Sequence, residues 1–332
     1  MPNPLRHAML RSLAGASPSP APSGNVDSPS SSFIDSTPIR HRAYDQCERT
    51  IAALHRRRVE TGIGGCASFV GPSGSGKTML QKRHVAACNP QADNRDTMRV
   101  LRAVVPSKPT VKNVVTELLH ASGHPSYVAN ESESLKTIRL LSLMKDRGTE
   151  VVMLDEMTNV HDQANDNVEH ELTDWLKNFI DSTRCLVVLC GLPRIDRLLR
   201  RNNQLRRRIS RRTEMLALNM KSEENWTEVR DVLRELHRRT TARAIPFDGQ
   251  ILARRFYFAS AGLMDYLVRI ATSAADIARA GDTTIDVNVL AEAFVEQVWP
   301  DCPEEINPFL VANPDELRML DADGEPFAGW GL

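Results

Sequence analysis

Apolar residues follow two different spacings along this chain. Up to about residue 220, short apolar runs of strand length alternate with stretches in which apolar residues recur every three or four positions. Such an alternation of strands and helices is typical of a parallel sheet flanked by helices. The predicted strands cover residues 67–70, 98–105, 150–155, 185–190 and 215–218, and the predicted helices cover residues 41–59, 111–120, 135–145 and 167–180, with one more helix starting after residue 78.

After residue 221 the strand pattern ends and only helical spacing remains. Four helices are predicted, over residues 225–239, 248–259, 263–280 and 287–298. Residues 17–32 are dominated by Pro, Ser, Ala and Gly, so we expect residues 1–33 to form a disordered N-terminal arm. Residues 301–332 form an acidic C-terminal tail with interspersed apolar residues, either a solvated terminus or a partner-binding peptide.

A phosphate-binding loop follows the first predicted strand. Its residues are Gly71, Pro72, Ser73, Gly74, Ser75, Gly76, Lys77 and Thr78. They complete the G-x-x-x-x-G-K-[ST] pattern, in which backbone N–H groups surround phosphates, the lysine reaches the β- and γ-phosphates, and the hydroxyl binds Mg²⁺. The sequence therefore predicts binding of ATP or GTP.

A pair of acids ends the third predicted strand. Asp155 and Glu156 follow four apolar residues, and in a parallel sheet the carboxyl ends of the strands are where ligands bind. We expect Asp155 to hold Mg²⁺ together with Thr78, and Glu156 to orient the water that attacks the γ-phosphate. The next strand ends at Cys190 and Gly191, which are weak candidates for a γ-phosphate sensor.

Arginines dominate residues 194–212, where Asp196 is the one acid. Three interpretations stay open. An arginine can complete the ATP site of a neighbouring subunit, arginines can neutralise nucleic-acid phosphates, or the cluster is a solvated helix face.

Composition narrows the class of protein. The 332 residues include 42 basic and 42 acidic ones, so net charge alone points to no partner. The six cysteines form no C-x-x-C pair and no Cys/His zinc spacing, from which we expect reduced thiols, no disulfide and no structural metal. No apolar run has the length of a membrane span and no signal-peptide core is present, so a cytoplasmic protein without a membrane partner is expected.

The order of these motifs resembles the AAA+ (ASCE) ATPases and, more narrowly, the TniB/TnsC group of DNA-transposition regulators. The matching residues are Thr37-Pro38, the phosphate loop, Val105-Pro106-Ser107-Lys108-Pro109-Thr110-Val111-Lys112, Leu154-Asp155-Glu156 with Asn159 and His161, Leu189-Cys190-Gly191-Leu192-Pro193, Gln204-Leu205-Arg206-Arg207-Arg208-Ile209, Ala261-Gly262-Leu263 and Asn307-Pro308-Phe309. The resemblance implies an AAA+ domain over residues 34–220 and a small all-helical lid domain over residues 221–300.

The resemblance also implies a function. Such a protein hydrolyses ATP with Mg²⁺, forms a ring or helical filament on double-stranded DNA, and recruits a DDE transposase and a TniQ-like targeting adaptor. Lys108, Thr110 and Lys112 would contact DNA phosphates, and Arg208 best matches the arginine finger, with Arg211 and Arg212 as substitutes. Arg269 is the one nearby candidate for a lid sensor arginine.

Two other functions fit the same core. A nucleotide-gated signalling or defence switch would bind ATP without acting on DNA. A helicase loader or a secretion ATPase would share the phosphate loop and the acidic pair. Whether DNA changes the oligomer separates the first alternative from transposition.

Overall fold

The computed structural model describes residues 37–89, 97–123, 131–163, 166–201 and 203–312. The predicted N-terminal arm and residues 313–332 of the predicted tail lie outside these ranges.

The described residues form one five-stranded parallel sheet. Its strands are β1 Gly65–Val70, β2 Val100–Val104, β3 Val151–Asp155, β4 Leu186–Gly191 and β5 Ile209–Glu214. Their order across the sheet is β2-β3-β4-β1-β5, with every pairing parallel. All carboxyl ends therefore lie at one edge, which we call the carboxyl edge; the opposite edge is the amino edge.

The prediction of a last strand at residues 215–218 was wrong. The strand in this position is β5, which contains Arg211 and Arg212 and shows mostly exposed side chains. β5 is the outermost strand next to β1 and is held by backbone hydrogen bonds to β1. Such a strand can form with few buried apolar side chains. Met215 and Leu218 are buried, but they follow the strand.

The helices flank the sheet and then continue beyond it. They are α1 Arg42–Thr61, α2 Lys77–Cys88, α3 Val111–Ala121, α4 Glu133–Asp146, α5 Thr158–Gln163, α6 Asp166–Thr183, α7 Ile195–Arg201, α8 Asn203–Arg208, α9 Glu223–Arg239, α10 Gln250–Ser260, α11 Met264–Gly281 and α12 Val287–Gln297. The short helices α5, α7 and α8 were not predicted. None of the helices in the described ranges combines the length and the apolar character needed to cross a lipid bilayer.

Alternating side chains of the sheet build two cores, one on each face. Val152 and Leu154 of β3 pack in the core that includes buried residues of α3, α4 and α6. Val151 and Met153 point the other way, into the core formed with α1 and α2. This is the arrangement expected of a strand with both faces buried, and it fixes α1 and α2 on the same face of the sheet.

Helices α9 to α12 enclose a third core of their own. The Asn-Pro-Phe segment belongs to it, because Phe309 is 1% exposed and stacks edge-on against Phe256 at a centroid distance of 5.2 Å. Asn307 is also buried, and its side-chain N–H donates to the carbonyl oxygen of Ala291 (3.2 Å). Asn307 and Phe309, which were assigned to the acidic tail, are therefore packed against the helical region.

Candidate nucleotide site

The phosphate loop leaves β1 at the carboxyl edge and turns directly into α2. Gly74 and Gly76 have positive φ angles of 72° and 98°, which side chains with a Cβ rarely adopt. At Gly71 a Cβ would lie 2.2 Å from the carbonyl oxygen of Met215. The glycines are therefore needed for the path of the backbone, and they place the N-terminus of α2 at the loop.

Lys77 lies inside the loop. Its Nζ donates to the carbonyl oxygens of Gly71 (2.8 Å) and Pro72 (2.7 Å). Burial lowers the pKa of Lys77, while the nearby acids Asp155 and Glu156 act in the opposite direction. A partly desolvated ammonium beside a helix N-terminus favours an anionic ligand.

Thr78 and Asp155 meet between the loop and the end of β3. The Thr78 hydroxyl donates to Asp155 Oδ2 at 2.8 Å, and Arg102 of β2 donates to the same oxygen at 2.7 Å. Asp155 is 2% exposed. Its burial raises the pKa, but the hydrogen bonds from Thr78 and Arg102 outweigh burial, and the net pKa is lowered.

Glu156 follows Asp155 and has an exposed side chain. Its φ of 55° is unusual for a residue other than glycine. The backbone N–H of Glu156 donates to Asp155 Oδ1 (3.1 Å), which holds this conformation. The chain thus turns sharply after β3, and Glu156 lines the same cavity as Lys77 and Thr78.

A cavity of about 430 Å³ lies over the loop, a volume suited to a small-molecule ligand. Its other walls come from the segment before α1, from α1 itself and from the start of α11. They are Thr37, Pro38, Ile39, His41, Tyr44, Met264, Asp265 and Val268. Burial lowers the pKa of His41 and raises the pKa of Tyr44 to about 12, so both rings are neutral near pH 7. The phosphate loop thus gives the cavity a polar side, and Pro38, Ile39, Met264 and Val268 add an apolar part to its other walls.

The end of β4 offers no strong sensor side chain. Cys190 is 1% exposed, and burial raises the pKa of its thiol well above the usual value. At Gly191 a Cβ would lie 2.8 Å from the Thr158 hydroxyl oxygen. That oxygen accepts a hydrogen bond from the Leu192 N–H (2.8 Å), so Thr158 fixes the turn after β4.

The arginine-finger candidates lie outside the cavity of their own chain. Arg208 ends α8 and donates through Nε to Asp181 Oδ1 (2.8 Å) of α6, and this hydrogen bond raises its pKa. Arg212 is paired with Asp196 (2.6 Å) and with Glu214, which raises its pKa above the usual value. Arg211 is exposed on β5. The structure thus brings none of the three to Lys77.

The predicted DNA-contact segment follows β2 at the carboxyl edge. Lys108 and Lys112 are exposed. Thr110 caps α3, because its side-chain oxygen accepts from the N–H of Asn113 (3.2 Å). The side chain of Asn113 in turn donates to the carbonyl oxygen of Lys108 (2.9 Å), which fixes the turn between the two lysines.

The helical region touches the phosphate loop directly. The N–H of Asp265, in the first turn of α11, donates to the carbonyl oxygen of Gly74 (3.1 Å). Arg269 pairs with Asp265 (3.0 Å), and its side chain is 52% exposed. Arg269 is not among the residues that line the cavity.

Sequence reasoning missed Arg102 and the apolar part of the cavity wall. A signal for Arg102 was present, since it is the one charged residue between Val100 and Val105 of an otherwise apolar strand. The apolar wall had no such signal. Its residues come from two stretches far apart in sequence, around Tyr44 and Met264.

Comparisons with known proteins give one family match and several solved structures of similar fold. A family model described as "Bacterial TniB protein" matches residues 34–216. The ORC2 protein of Aeropyrum pernix, solved as ADPNP-ADP complexes, is similar with a TM-score of 0.60 and 16% identity, covering 82% of this chain and 72% of that one. Cdc6p from Pyrobaculum aerophilum gives a TM-score of 0.60 and 11% identity, covering 83% and 73%.

A third similar structure is the Aeropyrum pernix ORC1 protein in complex with DNA. Its TM-score is 0.59 at 14% identity, covering 78% of this chain and 66% of that one. Likeness at these identities establishes the fold alone. No curated protein matched the sequence.

Proposed function

The chain belongs to the TniB family, whose model matches more than half of it, and on that premise we propose that it assembles on double-stranded DNA with ATP and directs a transposase to its target. The predicted AAA+ fold class is confirmed by the five-stranded parallel sheet and by the likeness to ORC and Cdc6 structures. As a member of the TniB family the chain is an ATPase. The boundaries of its nucleotide-binding and lid domains stay a prediction.

The observation that carries the proposal is the meeting of Thr78 and Asp155 at 2.8 Å, beside Lys77 and Glu156. A hydroxyl and a carboxylate are the hard oxygen donors that Mg²⁺ prefers, so these residues fit the ion. When bound with ATP, Mg²⁺ neutralises charge on the β- and γ-phosphates. Lys77 would contact the phosphates, and Glu156 would orient the attacking water.

Arg208 supports assembly as part of the activity. Its side chain is 28% exposed, pairs with Asp181 and does not line the cavity of its own chain, which supports a role in the site of a neighbouring chain. An arginine supplied by a neighbour stabilises the transition state of phosphoryl transfer and typically contributes about 10³–10⁵ in rate. We therefore assign hydrolysis to the assembled protein.

DNA binding rests on the segment between β2 and α3. Lys108 and Lys112 are exposed, and they would contact DNA phosphates without reading bases, with the Thr110 hydroxyl as a third contact. Two of the solved structures of similar fold are described as bound to or in complex with DNA. A DDE transposase and a TniQ-like adaptor are the proposed protein partners.

Electron microscopy with duplex DNA and Mg-ATP tests the proposal. We expect rings or filaments on DNA when both ligands are present, and their loss in Lys77→Ala, which cannot hold the phosphates. Lys108→Ala and Lys112→Ala should lose DNA-dependent assembly and keep ATP binding. Lys145→Ala, an exposed lysine at the end of α4, is the matched control. Free particles under all conditions would contradict DNA-dependent assembly and favour a switch that does not use DNA.

A mixing experiment tests the shared site. Arg208→Ala should lose hydrolysis in the assembled state, whereas Arg207→Ala, an exposed neighbour, should keep it. Mixing Arg208→Ala with Lys77→Ala should restore part of the activity, because one chain supplies the intact loop and the other the intact arginine. Full activity of assembled Arg208→Ala would transfer the role to Arg211 or Arg212.

A further inference from the structure

Two histidines and a cysteine converge on the face of the sheet covered by α1 and α2. His55 comes from α1, and His84 and Cys88 come from the last turns of α2. His55 Nδ1 lies 3.0 Å from His84 Nε2, and Cys88 Sγ lies 3.7 Å from each of these nitrogens. The three side chains offer two imidazole nitrogens and one sulfur to a common point.

The spacing of the three atoms fits a tetrahedral zinc ion. Bonds of about 2.05 Å to nitrogen and about 2.3 Å to sulfur place two ligand nitrogens about 3.3 Å apart, and nitrogen and sulfur about 3.6 Å apart. The observed separations of 3.0 and 3.7 Å differ from these by a few tenths of an ångström. Small side-chain rotations therefore suffice to bind a metal, with no movement of the helices.

The carboxylate of Glu150 contacts the other ring nitrogen of His55, the one that does not face the cluster. His55 Nε2 lies 2.8 Å from Glu150 Oε2, just before β3. When Nε2 of His55 carries the proton and donates a hydrogen bond to this carboxylate, the lone pair on Nδ1 is directed at His84 and Cys88. A carboxylate that orients a ligating histidine is the usual outer partner in zinc sites. Glu150 thus gives the cluster a feature that chance proximity of three side chains would lack.

The cluster is also suitably shielded. His55 is 8% exposed, and His84 and Cys88 are half-buried, so an ion would be largely enclosed and one position would stay open to water. The i and i+4 spacing of His84 and Cys88 puts both on one side of α2. Imidazole and thiolate together favour zinc over Mg²⁺ or Ca²⁺, which prefer oxygen ligands.

We propose that His55, His84 and Cys88 bind one zinc ion, with water in the fourth position. Binding releases the proton of the Cys88 thiol to solvent and joins α1 to α2, with Glu150 adding the start of β3. The site lies at the amino edge, about 10 Å (His84) to 16 Å (Cys88) along α2 from Lys77 at about 1.5 Å per residue. It is thus separate from the nucleotide cavity, and its role is to hold together the helices that flank the phosphate loop.

Metal analysis of the untagged full chain tests the proposal first. After dialysis against zinc and removal of free metal, we expect about one zinc per chain and a rise in the thermal midpoint that EDTA reverses. Replacement by Co²⁺ should give the visible bands of a tetrahedral ion and a near-ultraviolet thiolate-to-cobalt band. Absence of bound metal, or preference for copper or iron, would overturn the assignment.

Variants then test the ligands. Cys88→Ser should lose the thiolate-to-cobalt band, and Glu150→Gln should weaken zinc binding about 10-fold, as expected for an outer partner. Cys302 is another half-buried cysteine, so Cys302→Ser is the matched control. It should keep both the thiolate-to-cobalt band and the zinc affinity. A cobalt band that survives in Cys88→Ser would exclude the site. The spectrum of the cobalt-substituted wild-type protein tests the proposal even where a variant fails to fold. None of these readouts depends on ATP or DNA.

Discussion

Helix α2 begins at the phosphate loop and ends at the cluster of His55, His84 and Cys88, which we call the His–Cys cluster. The residues that build these two sites are distributed differently along the sequence. Lys77 and Thr78 at its start belong to an eight-residue motif that is contiguous in sequence. His84 and Cys88 near its end gain their third partner, His55, from another helix and their carboxylate from the residue before β3. A local motif is visible in a sequence, whereas a site assembled across helices needs the fold.

The nucleotide site and the His–Cys cluster should be independent of each other. A change at one edge of the sheet should therefore leave the other edge intact. The following predictions test the carboxyl edge, in order of decreasing effect.

Glu156→Gln should have the largest effect. The substitution keeps the shape of the side chain and removes the charge that polarises water, so ATP hydrolysis should fall by about 10²–10⁴-fold. Nucleotide binding, measured by fluorescence titration, should stay at the wild-type level, and the cobalt spectrum of the His–Cys cluster should not change. Glu133→Gln, in the exposed first turn of α4, is the control. Hydrolysis at the wild-type rate would remove Glu156 from the mechanism.

Arg102→Ala should have the next largest effect. It leaves the buried Asp155 carboxylate without its ion-pair partner, and we expect a loss of about 3 kcal/mol in the free energy of unfolding at pH 7. Arg102→Lys keeps the charge and should lose less. Urea denaturation measures both variants.

The pH dependence of Arg102→Ala follows from the lowered pKa of Asp155. A carboxylate with a lowered pKa stabilises the fold above the unfolded-state value of 3.8, and this contribution is lost as the pH falls through the folded-state pKa. The difference between wild type and Arg102→Ala should therefore be largest near neutral pH and shrink below pH 3.8. A difference independent of pH would show that the ion pair contributes nothing.

Thr110→Ala should have the smallest effect. The variant removes the cap of α3 and should cost about 1 kcal/mol in unfolding free energy. Thr110→Ser keeps the oxygen and should restore the stability. If DNA affinity falls in Thr110→Ala and returns in Thr110→Ser, the side-chain oxygen contributes to DNA binding, through the cap or through a phosphate contact. Unchanged DNA affinity would limit Thr110 to its role as a cap.

The sequence predicted most of the sheet because buried parallel strands are apolar on both faces. Four of the five strands were located from this property, but β5 was misplaced because a border strand with arginines has no such pattern. The position of Asp155 and Glu156 at the end of β3 could be predicted because acids that end an apolar run are conspicuous, while their roles stay a prediction. Arg102 was missed, since its pairing with Asp155 depends on the register of β2 against β3.

The contact between Asp265 and Gly74 limits how parts of this protein can be exchanged. The Asp265 Cβ lies 2.9 Å from the position that a Cβ on Gly74 would occupy. A chimera that takes its helical region from a relative must therefore bring a residue at position 265 that fits against a bare glycine. We expect β-branched residues there to crowd the glycine, so this junction is one of the contacts that limit which halves are compatible.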